Sequence, residues 1–325
     1  MDKKVFTFAE AIREGLKEEM RRDKSVFLMG EDIHISNCTV TRGMVDEFED
    51  RMKLMPISEN GFCAAAVGAS VTGMRPVVEI MYGDFILVAA DAICNQAAKL
   101  RYMSAGQYHA PVTYRISLSG MGGGAGAHHS QSLEALPCHF PGLKVVYPST
   151  PYDAKGLIKS AIRDEDPVLF YEHKLLYPEK QEIDDEQYLI PLGKGIIRRE
   201  GKDLTLVSYG KMAQFSLEVA EELAKEENMD IEVYDPRTLR PFDYEQLLKS
   251  IEKTGKLVIV EEDTKIGGIG AEIAAKVAEE AFFSLEAPIK RIAGRETPAP
   301  AGIYGHAFIV PTKEQIKQTI KDYLS

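Results

Sequence analysis

Short apolar runs alternate with amphipathic stretches along the first half of the chain. The runs are rich in β-branched residues, which is typical of strands buried in a sheet, and the stretches between them repeat apolar positions with helical spacing. This alternation predicts a mostly parallel sheet covered by helices on both faces. The predicted strands are residues 26–30, 55–58, 76–81, 112–117, 143–148 and 168–172, and the predicted helices are residues 8–20, 61–72, 85–103 and 151–162.

A polar segment, residues 177–193, separates this half from a second alternating region. Its prolines and acidic residues are typical of a linker. Because 325 residues exceed the size at which one core usually stops growing, we expect an α/β domain at residues 1–178, a linker at 179–194 and a smaller α/β domain at 195–325. In the second domain the predicted strands are residues 204–209, 231–234, 257–261 and 289–292, and the predicted helices are residues 213–226, 244–254, 271–283 and 313–323.

Composition and charge narrow the possible partners. The net charge of −11 argues against a nucleic-acid partner and leaves room for a basic protein partner. No apolar run approaches the ~18–20 residues of a membrane span, so we expect no membrane association. The cysteines Cys38, Cys63, Cys94 and Cys138 lie far apart without a C-x-x-C pair. They suggest neither a zinc site nor a disulfide framework, and a reducing cytoplasm is the expected location.

A glycine-dense segment, residues 120–127, carries the strongest chemical signal. It lies between a strand predicted at residues 111–117 and a helix predicted near residues 131–138, and it leads into His128, His129 and Ser130. Glycines at the carboxyl end of a strand let a ligand approach the backbone. The segment lacks the Gly-Lys-Ser/Thr of a P-loop, so the histidines are the stronger signal. The alternative is a flexible loop with two surface histidines.

Two further small-residue patterns are weaker. Gly61, Ala65, Ala69 and Gly73 fall four apart on one predicted helix, so that another backbone could lie close against it. The stripe predicts a packing surface, either between subunits or inside one domain. The turn at residues 267–270, Gly-Gly-Ile-Gly, precedes a helix and is interpreted as a helix start.

Several motifs together resemble one family, the beta subunits of thiamine-diphosphate-dependent 2-oxo acid dehydrogenases and their acetoin dehydrogenase relatives. The likeness runs from about residue 6 to about residue 285, and residues 79–81, 148–157 and 172–177 are most similar to the acetoin branch. It implies a transketolase-like, thiamine-pyrimidine-binding parallel-sheet domain followed by a smaller transketolase carboxyl-terminal α/β domain. The chain departs from the family pattern in two places. Residues 33–40 form a shorter segment than the family's loop, and residues 297–310 do not follow the family's usual ending. The motifs are residues 56–59 (Pro-Ile-Ser-Glu), 75–81, 129–132 (His-Ser-Gln-Ser), 141–146 and 235–241.

The resemblance assigns roles to four residues. Glu59 would hold a proton on the pyrimidine ring nitrogen of thiamine diphosphate, and burial of its carboxyl would suit that role. From the residues alone, a first-turn glutamate on the helix dipole is equally plausible. Met81 and Phe85 resemble the apolar contacts of the aminopyrimidine, although alone they would be ordinary core. His129 matches the histidine implicated in acyl transfer to lipoamide, with His128 supporting it.

The sequence lacks half of a thiamine site. Such enzymes hold magnesium and diphosphate with Gly-Asp-Gly and a downstream Asn, and residues 83–85 (Gly-Asp-Phe) are the nearest match. By resemblance an alpha subunit supplies Mg²⁺ and the diphosphate site, in a heterotetramer of two alpha and two beta chains. A structural K⁺ is also implied, although a solvated acidic turn is the alternative. Its ligands would be the Val112 carbonyl with oxygens of Ala161, Ile162, Asp164 and Asp166.

The leading hypothesis is therefore the beta subunit of an acetoin dehydrogenase. It would cleave acetoin and pass the acetyl unit to the lipoamide of a dihydrolipoyl acyltransferase, and it would be inactive without its alpha subunit. The alternative is a beta subunit of a pyruvate or branched-chain 2-oxo acid dehydrogenase. A transketolase-like fragment is less favoured because residues 129–132 and 153–157 match the dehydrogenase family, and a non-catalytic scaffold subunit is less favoured because both Glu59 and His129 are present.

Overall fold

The computed structural model describes residues 3–36, 39–118, 120, 124–184, 187–302 and 309–324. The chain forms two compact units. The first comprises Met1–Ser119 and Leu136–Leu192, and the second comprises Gly120–Ala135 and Gly193–Ser325. Residues 120–135 therefore group with the second unit, although they lie within the range 1–178 predicted for the first domain.

A parallel sheet forms the centre of the first unit. Its strands lie in the spatial order β6, β7, β5, β4, β2, β3. Strand β5 is buried along its whole length, as expected for a sheet with both faces covered. The strands are β1 (Lys3–Thr7), β2 (Val26–Gly30), β3 (Met52–Leu54), β4 (Arg75–Ile80), β5 (Thr113–Leu118), β6 (Lys144–Val146), β7 (Val168–His173) and β8 (Lys180–Asp184). The helices are α1 (Phe8–Arg22), α2 (Val45–Phe48), α3 (Glu59–Ser70), α4 (Ala98–Met103), α5 (Ala135–Cys138) and α6 (Pro151–Arg163).

Local sequence explains how the two longest helices of this unit begin. Thr7 and Glu10 form a reciprocal capping box at the start of α1. Thr150 caps α6, whose first residue is Pro151. The two helices pack together, and a Cβ added at Gly15 would lie 2.6 Å from Cγ2 of Ile158, so their close approach requires glycine there.

Three predictions about the first unit are wrong. Residues 55–58 are not a strand, because β3 ends at Leu54 and Pro56 has no N–H with which to continue the pairing. The predicted helix 85–103 is broken into a 3₁₀ turn at Gly83–Ile86, a π-helical segment at Asp91–Ala97 and α4. Only Ala135–Cys138 of the predicted helix 131–138 is helical, because Ser132 bonds locally to a carboxylate of its own segment.

Two strands that the pattern did not predict pair with each other. Strand β1 runs antiparallel to β8, with Lys3 opposite Asp184 and Thr7 opposite Lys180. Strand β8 lies within the predicted linker 179–194. Its sequence, KQEID, is too polar to show a buried strand, and only its long-range partner makes it one.

The second unit contains a five-stranded sheet in the order β14, β13, β10, β11, β9. Strand β9 is an antiparallel edge and the other pairs are parallel. The predicted strands and helices are all present within a few residues, whereas β9 and β12 were not predicted. The elements are β9 (Ile196–Arg199), β10 (Leu204–Ser208), α7 (Gly210–Glu227), β11 (Ile231–Asp235), β12 (Thr238–Arg240), α8 (Tyr244–Thr254), β13 (Leu257–Thr264), α9 (Ile269–Glu280), β14 (Lys290–Gly294) and α10 (Lys313–Leu324).

The small-residue stripe of α3 faces outward. Gly61, Ala65 and Gly73 are exposed in this chain, whereas Phe62 and Cys63 on the opposite face are buried. The prediction that this stripe packs inside one domain is therefore wrong for Gly61, Ala65 and Gly73. Separately, none of the helices that the structure describes is long and apolar enough to cross a membrane.

Candidate functional site

The sheet of the first unit has a topological switch point at the carboxyl ends of β2 and β4. The chain continues from β2 to β3 on one side and then to β4 on the other side of β2, so the direction of strand addition reverses between β2 and β4. In open α/β sheets, ligands bind outside the carboxyl ends of strands at such a point. Glu31 directly follows β2, and Met81 directly follows β4.

Glu59 is the first residue of α3 and is only 5% exposed. Its N-cap residue, Ser58, makes no side-chain capping bond, so the first turn of the helix has no hydroxyl cap. Glu59 thus lies in the first helical turn, as the helix-dipole interpretation requires. It is also buried, as the cofactor interpretation requires. A glutamate that served only the helix dipole would gain nothing from leaving water.

A second carboxyl group, which sequence reasoning missed, lies beside Glu59. Burial, followed by the charges of Glu59 and Asp32, raises the pKa of Glu31 to about 7, and a side-chain hydrogen bond to Glu59 adds to this. The backbone N–H of Ser58 donates to Glu31 and opposes the rise. The Oε1 atom of Glu31 is buried without a hydrogen-bond partner among the residues that the structure describes. Glu31 therefore keeps a proton near neutral pH while it lies beside Glu59.

Cys63 lies on the inner side of this carboxyl pair. It is fully buried, and burial raises the pKa of its thiol, with further contributions from Glu59 and Glu31. The thiol therefore stays neutral and behaves as a small apolar side chain.

Met81 and Phe85 lie in the same unit, at the end of β4 and in the 3₁₀ turn that follows. Both are half-buried. Lys174 donates to the carbonyl of Met81 at 3.0 Å, and its ammonium lies 3.7 Å from the ring centroid of Tyr82. The ring of Tyr82 in turn packs edge-on against Phe85 at 5.8 Å. These contacts hold the backbone after β4 in place while leaving part of Met81 and Phe85 accessible.

A buried ion network joins strands β4, β5 and β7. Arg115 of β5 is fully buried and donates to Glu79 of β4 at 2.5 Å and to both carboxylate oxygens of Glu172 of β7 at 2.6 and 2.8 Å. Tyr177 donates to the same Glu172 at 2.8 Å. Burial lowers the pKa of Arg115, but the charges of Glu172 and Glu79 outweigh it and raise the pKa. The bidentate geometry therefore keeps this guanidinium charged inside the sheet.

His129 belongs to the second unit, unlike Glu59, Met81 and Phe85. Its backbone N–H donates to the carbonyl of Gly126 at 3.1 Å, and Gly126 has a φ of +85°, which requires glycine. His129 is half-buried and His128 is exposed. Of the glycine-dense segment, residues 121–123 lie outside the described residues.

The oxygens assigned to potassium already have hydrogen-bond donors or cationic side chains as neighbours. Arg75 donates to the carbonyls of Ile162 and Asp164, each at 3.0 Å. Lys144 binds the Asp164 carboxylate at 2.7 Å, and Arg101 binds the Asp166 carboxylate at 2.9 Å. The carbonyls of Val112 and Ala161 accept backbone N–H groups of Val168 and Asp164. Among the described residues, no group of three or more His, Cys, Asp or Glu side chains could hold a metal ion.

Comparison with known proteins defines the class of the molecule. Residues 4–180 match the transketolase pyrimidine binding domain, and residues 193–316 match the transketolase C-terminal domain. Among solved structures, a split gene transketolase described as an inactive beta4 tetramer has the same fold, with a TM-score of 0.80 and 24% identity over 98% of both chains. The predicted fold class, two transketolase-like α/β domains, is confirmed.

Closer relatives narrow this class to one family. The 2-oxoisovalerate dehydrogenase subunit beta of Bacillus subtilis is 44% identical over 91% of both chains. The acetoin:2,6-dichlorophenolindophenol oxidoreductase subunit beta of the same organism is 43% identical over 96% of this chain and 95% of the relative. A pyruvate dehydrogenase E1 component subunit beta of Staphylococcus epidermidis is 42% identical over 96% and 97%. The chain belongs to the family of 2-oxo acid and acetoin dehydrogenase beta subunits, as its motifs predicted.

Proposed function

We propose that the chain is the beta subunit of a thiamine-diphosphate-dependent acetoin dehydrogenase. The observation that carries the proposal is the buried Glu31–Glu59 pair at the switch point of a pyrimidine-binding domain. Residues 79–81, 148–157 and 172–177 favour the acetoin branch over the pyruvate and branched-chain branches. The relatives, at 42% to 44% identity, do not separate these substrates.

The residues of the first unit fit an aminopyrimidine. Glu59 offers a buried carboxyl group to a ring nitrogen, and the unpartnered Oε1 of Glu31 offers a further acceptor. Met81 and Phe85 offer apolar surface. When bound, thiamine diphosphate supplies a nucleophilic carbon for attack on a carbonyl group.

Two residues of this chain would then handle protons. Glu59 would hold the proton on the pyrimidine nitrogen, and Glu31 would share it, because the pKa of Glu31 lies at about 7. His129 would donate to a developing oxyanion and exchange a proton with a dithiolane sulfur. The exposed His128 would support His129 from the solvent side.

The chain needs partners for this activity. No Gly-Asp-Gly motif with a downstream Asn is present in the sequence, and Asp84 of the nearest match is buried. An alpha subunit would therefore supply the Mg²⁺-diphosphate half of the site in an assembly of two alpha and two beta chains. A dihydrolipoyl acyltransferase would receive the acetyl unit. The K⁺ site stays a prediction, in which K⁺ would share its carbonyl ligands with Arg75.

Reconstitution with the alpha partner tests the proposal. The complex should reduce an artificial dye with acetoin in preference to pyruvate or 2-oxoisovalerate, and the chain alone should turn over none of them. Preference for either oxo acid would assign the chain to that branch. Calorimetry provides the control, since micromolar binding of thiamine diphosphate and magnesium by the isolated chain would contradict the subunit assignment.

A further inference from the structure

The sheet of the second unit has its own switch point. The chain continues from β10 to β11 on one side and then to β13 on the other, so the direction of strand addition reverses between β10 and β13. A pocket with a volume of about 270 Å³ lies at the carboxyl end of β13. Its polar lining residues are Ser130, Gln131, Ser132, Asp263, Thr264, Glu296 and Thr297. The carboxyl ends of strands are where α/β sheets bind ligands, and this pocket lies at the carboxyl end of β13 beside that switch point.

The lining of this pocket is acidic. Asp263 and Glu296 contribute carboxyl groups, and no Lys, Arg or His is among the described residues that line it. A third carboxyl group, that of the fully buried Glu134, accepts a hydrogen bond from the pocket-lining Ser132 at 2.9 Å and from Tyr209 at 3.1 Å. The described lining thus offers carboxyl oxygens, and no basic side chain, to a bound donor.

One buried hydroxyl of the lining has nothing to bond to. Ser130 is fully buried, and its Oγ atom has no hydrogen-bond partner among the residues that the structure describes. Leaving a buried hydroxyl unsatisfied is costly, and such groups usually meet a ligand or water. Because Ser130 also lines the pocket, its oxygen is available to a donor bound there.

Burial holds the pKa of two carboxyl groups at the pocket, those of Asp263 and Glu134, above their usual range. Burial raises the pKa of Asp263 to about 7, with contributions from Glu261 and Glu262 and against the backbone N–H of Thr264. Burial also raises the pKa of Glu134, with contributions from Asp263 and Glu262.

The charged groups near Asp263 do not prevent its proton from being displaced. Glu261 is bound by Arg291 and by the N–H of Gly270, each at 2.8 Å, so the guanidinium is already paired. Tyr209, which directly follows β10, donates its hydroxyl to Glu134 at 3.1 Å. A bound cation would favour the ionised form of Asp263 and so displace a proton.

We propose that this pocket binds a small organic cation, an ammonium or guanidinium group, between the Asp263 carboxylate and the Ser130 hydroxyl. Leu133, Pro298 and Ala299 would contact its apolar stem. No metal-holding group of side chains exists among the described residues, which favours an organic cation. Ser130 directly follows His129, so a bound cation would also fix the segment that carries this histidine. The inference rests on no part of the proposed function.

Calorimetry on the full chain tests the proposal with n-butylammonium as the probe and n-butanol as its neutral counterpart. Butylammonium should bind at least about tenfold more tightly than butanol, because the charged hydrogen bonds are absent for the alcohol. Titrations in two buffers of different ionisation enthalpy at pH 7 should show proton release on binding. Asp263→Asn should abolish the proton release and the preference for the cation.

Two controls keep the outcome clear. Glu245→Gln, on the exposed face of α8, should bind the probe like the wild type, and Ser130→Ala should weaken binding even if Asp263→Asn fails to fold. Equal binding of butanol and butylammonium, or competition by K⁺ at constant ionic strength that exceeds competition by the amine, would overturn the proposal.

The same titration in the presence of the alpha partner distinguishes the source of the cation. Binding that persists assigns the pocket to a free amine. Binding that the partner blocks, while the chain alone binds the probe, assigns it to a basic side chain of that partner. In both cases the pocket recognises the same ammonium or guanidinium chemistry.

Discussion

The carboxyl groups of Glu31 and Glu59 are hydrogen-bonded to each other, although 28 positions separate them along the chain. Glu31 follows a buried strand and Glu59 begins a helix, so two different elements bring two acids to one place. Burial and the charge of Glu59 together keep Glu31 protonated up to about pH 7. A carboxyl group that keeps its proton near neutral pH is thus built into the first unit of the chain alone.

This pair predicts a pH dependence of stability. The pKa of Glu31 is raised from 4.5 to about 7 in the folded chain, so the folded state holds this proton more tightly than the unfolded state does. The resulting stability is present below about pH 4.5 and is lost as the pH rises to about 7. In Glu31→Gln the free energy of unfolding should therefore fall less between pH 5 and pH 8, as measured by urea denaturation. Glu245→Gln is the exposed control, and a Glu31→Gln profile identical to wild type would refute the assignment.

Glu59→Gln should preserve assembly with the alpha partner yet slow activation of the cofactor. Loss of one preorganised electrostatic contact commonly costs ~10²–10³ in rate. Hydrogen–deuterium exchange at the thiazolium carbon measures this step directly. An exchange rate equal to that of wild type would remove Glu59 from the mechanism.

His129→Ala should impair the overall reaction on lipoyl protein more than it impairs dye reduction, because the dye bypasses acyl transfer to sulfur. The two assays on one preparation measure this difference. His128→Ala is the matched control, since that neighbouring side chain is exposed, and it should affect both assays less. Equal losses for His129→Ala in both assays would place the histidine at an earlier step.

Glu172→Gln should strongly destabilise the first unit. It removes the bidentate partner of Arg115 and leaves Glu79 as its remaining carboxylate in this network, so the cost should approach the about 3–5 kcal/mol that is typical of breaking a buried pair. Urea denaturation measures the change. Lys249→Ala, which breaks the exposed Lys249–Glu245 pair, should cost no more than ~1 kcal/mol. Similar costs for the two variants would mean that solvent screens the Arg115 network.

Docking of the acyltransferase should depend on salt. The chain carries a net charge of −11, and we expect its second unit to bind the basic subunit-binding module of the acyltransferase. Attraction between surface charges mainly raises the association rate and weakens at high ionic strength. Affinity of the reconstituted complex for that module should fall steeply from low to physiological salt. A salt-independent affinity would show that charge does not drive docking.

Periodicity predicted most strands and helices because the central strands are buried along their length and the helices bury one face. It failed where one residue overrode the pattern, as Pro56 did at the end of β3, and where pairing was long-range, as between β1 and β8. Glu59 and His129 were found through motifs, and their roles stay predictions. Glu31 was missed because its effect depends on Glu59, although an acid directly after the buried strand Val26–Gly30 was a visible signal.

The second unit is assembled from two separated stretches of chain, Gly120–Ala135 and Gly193–Ser325. A gene fragment that begins at the junction near residue 193 would therefore encode an incomplete unit. It would lack Glu134, to which Tyr209 donates, and one wall of the pocket beside Asp263. Exchange of carboxyl-terminal halves between related subunits by recombination would separate the histidine segment from the strands that hold it, so the two stretches are expected to be inherited together.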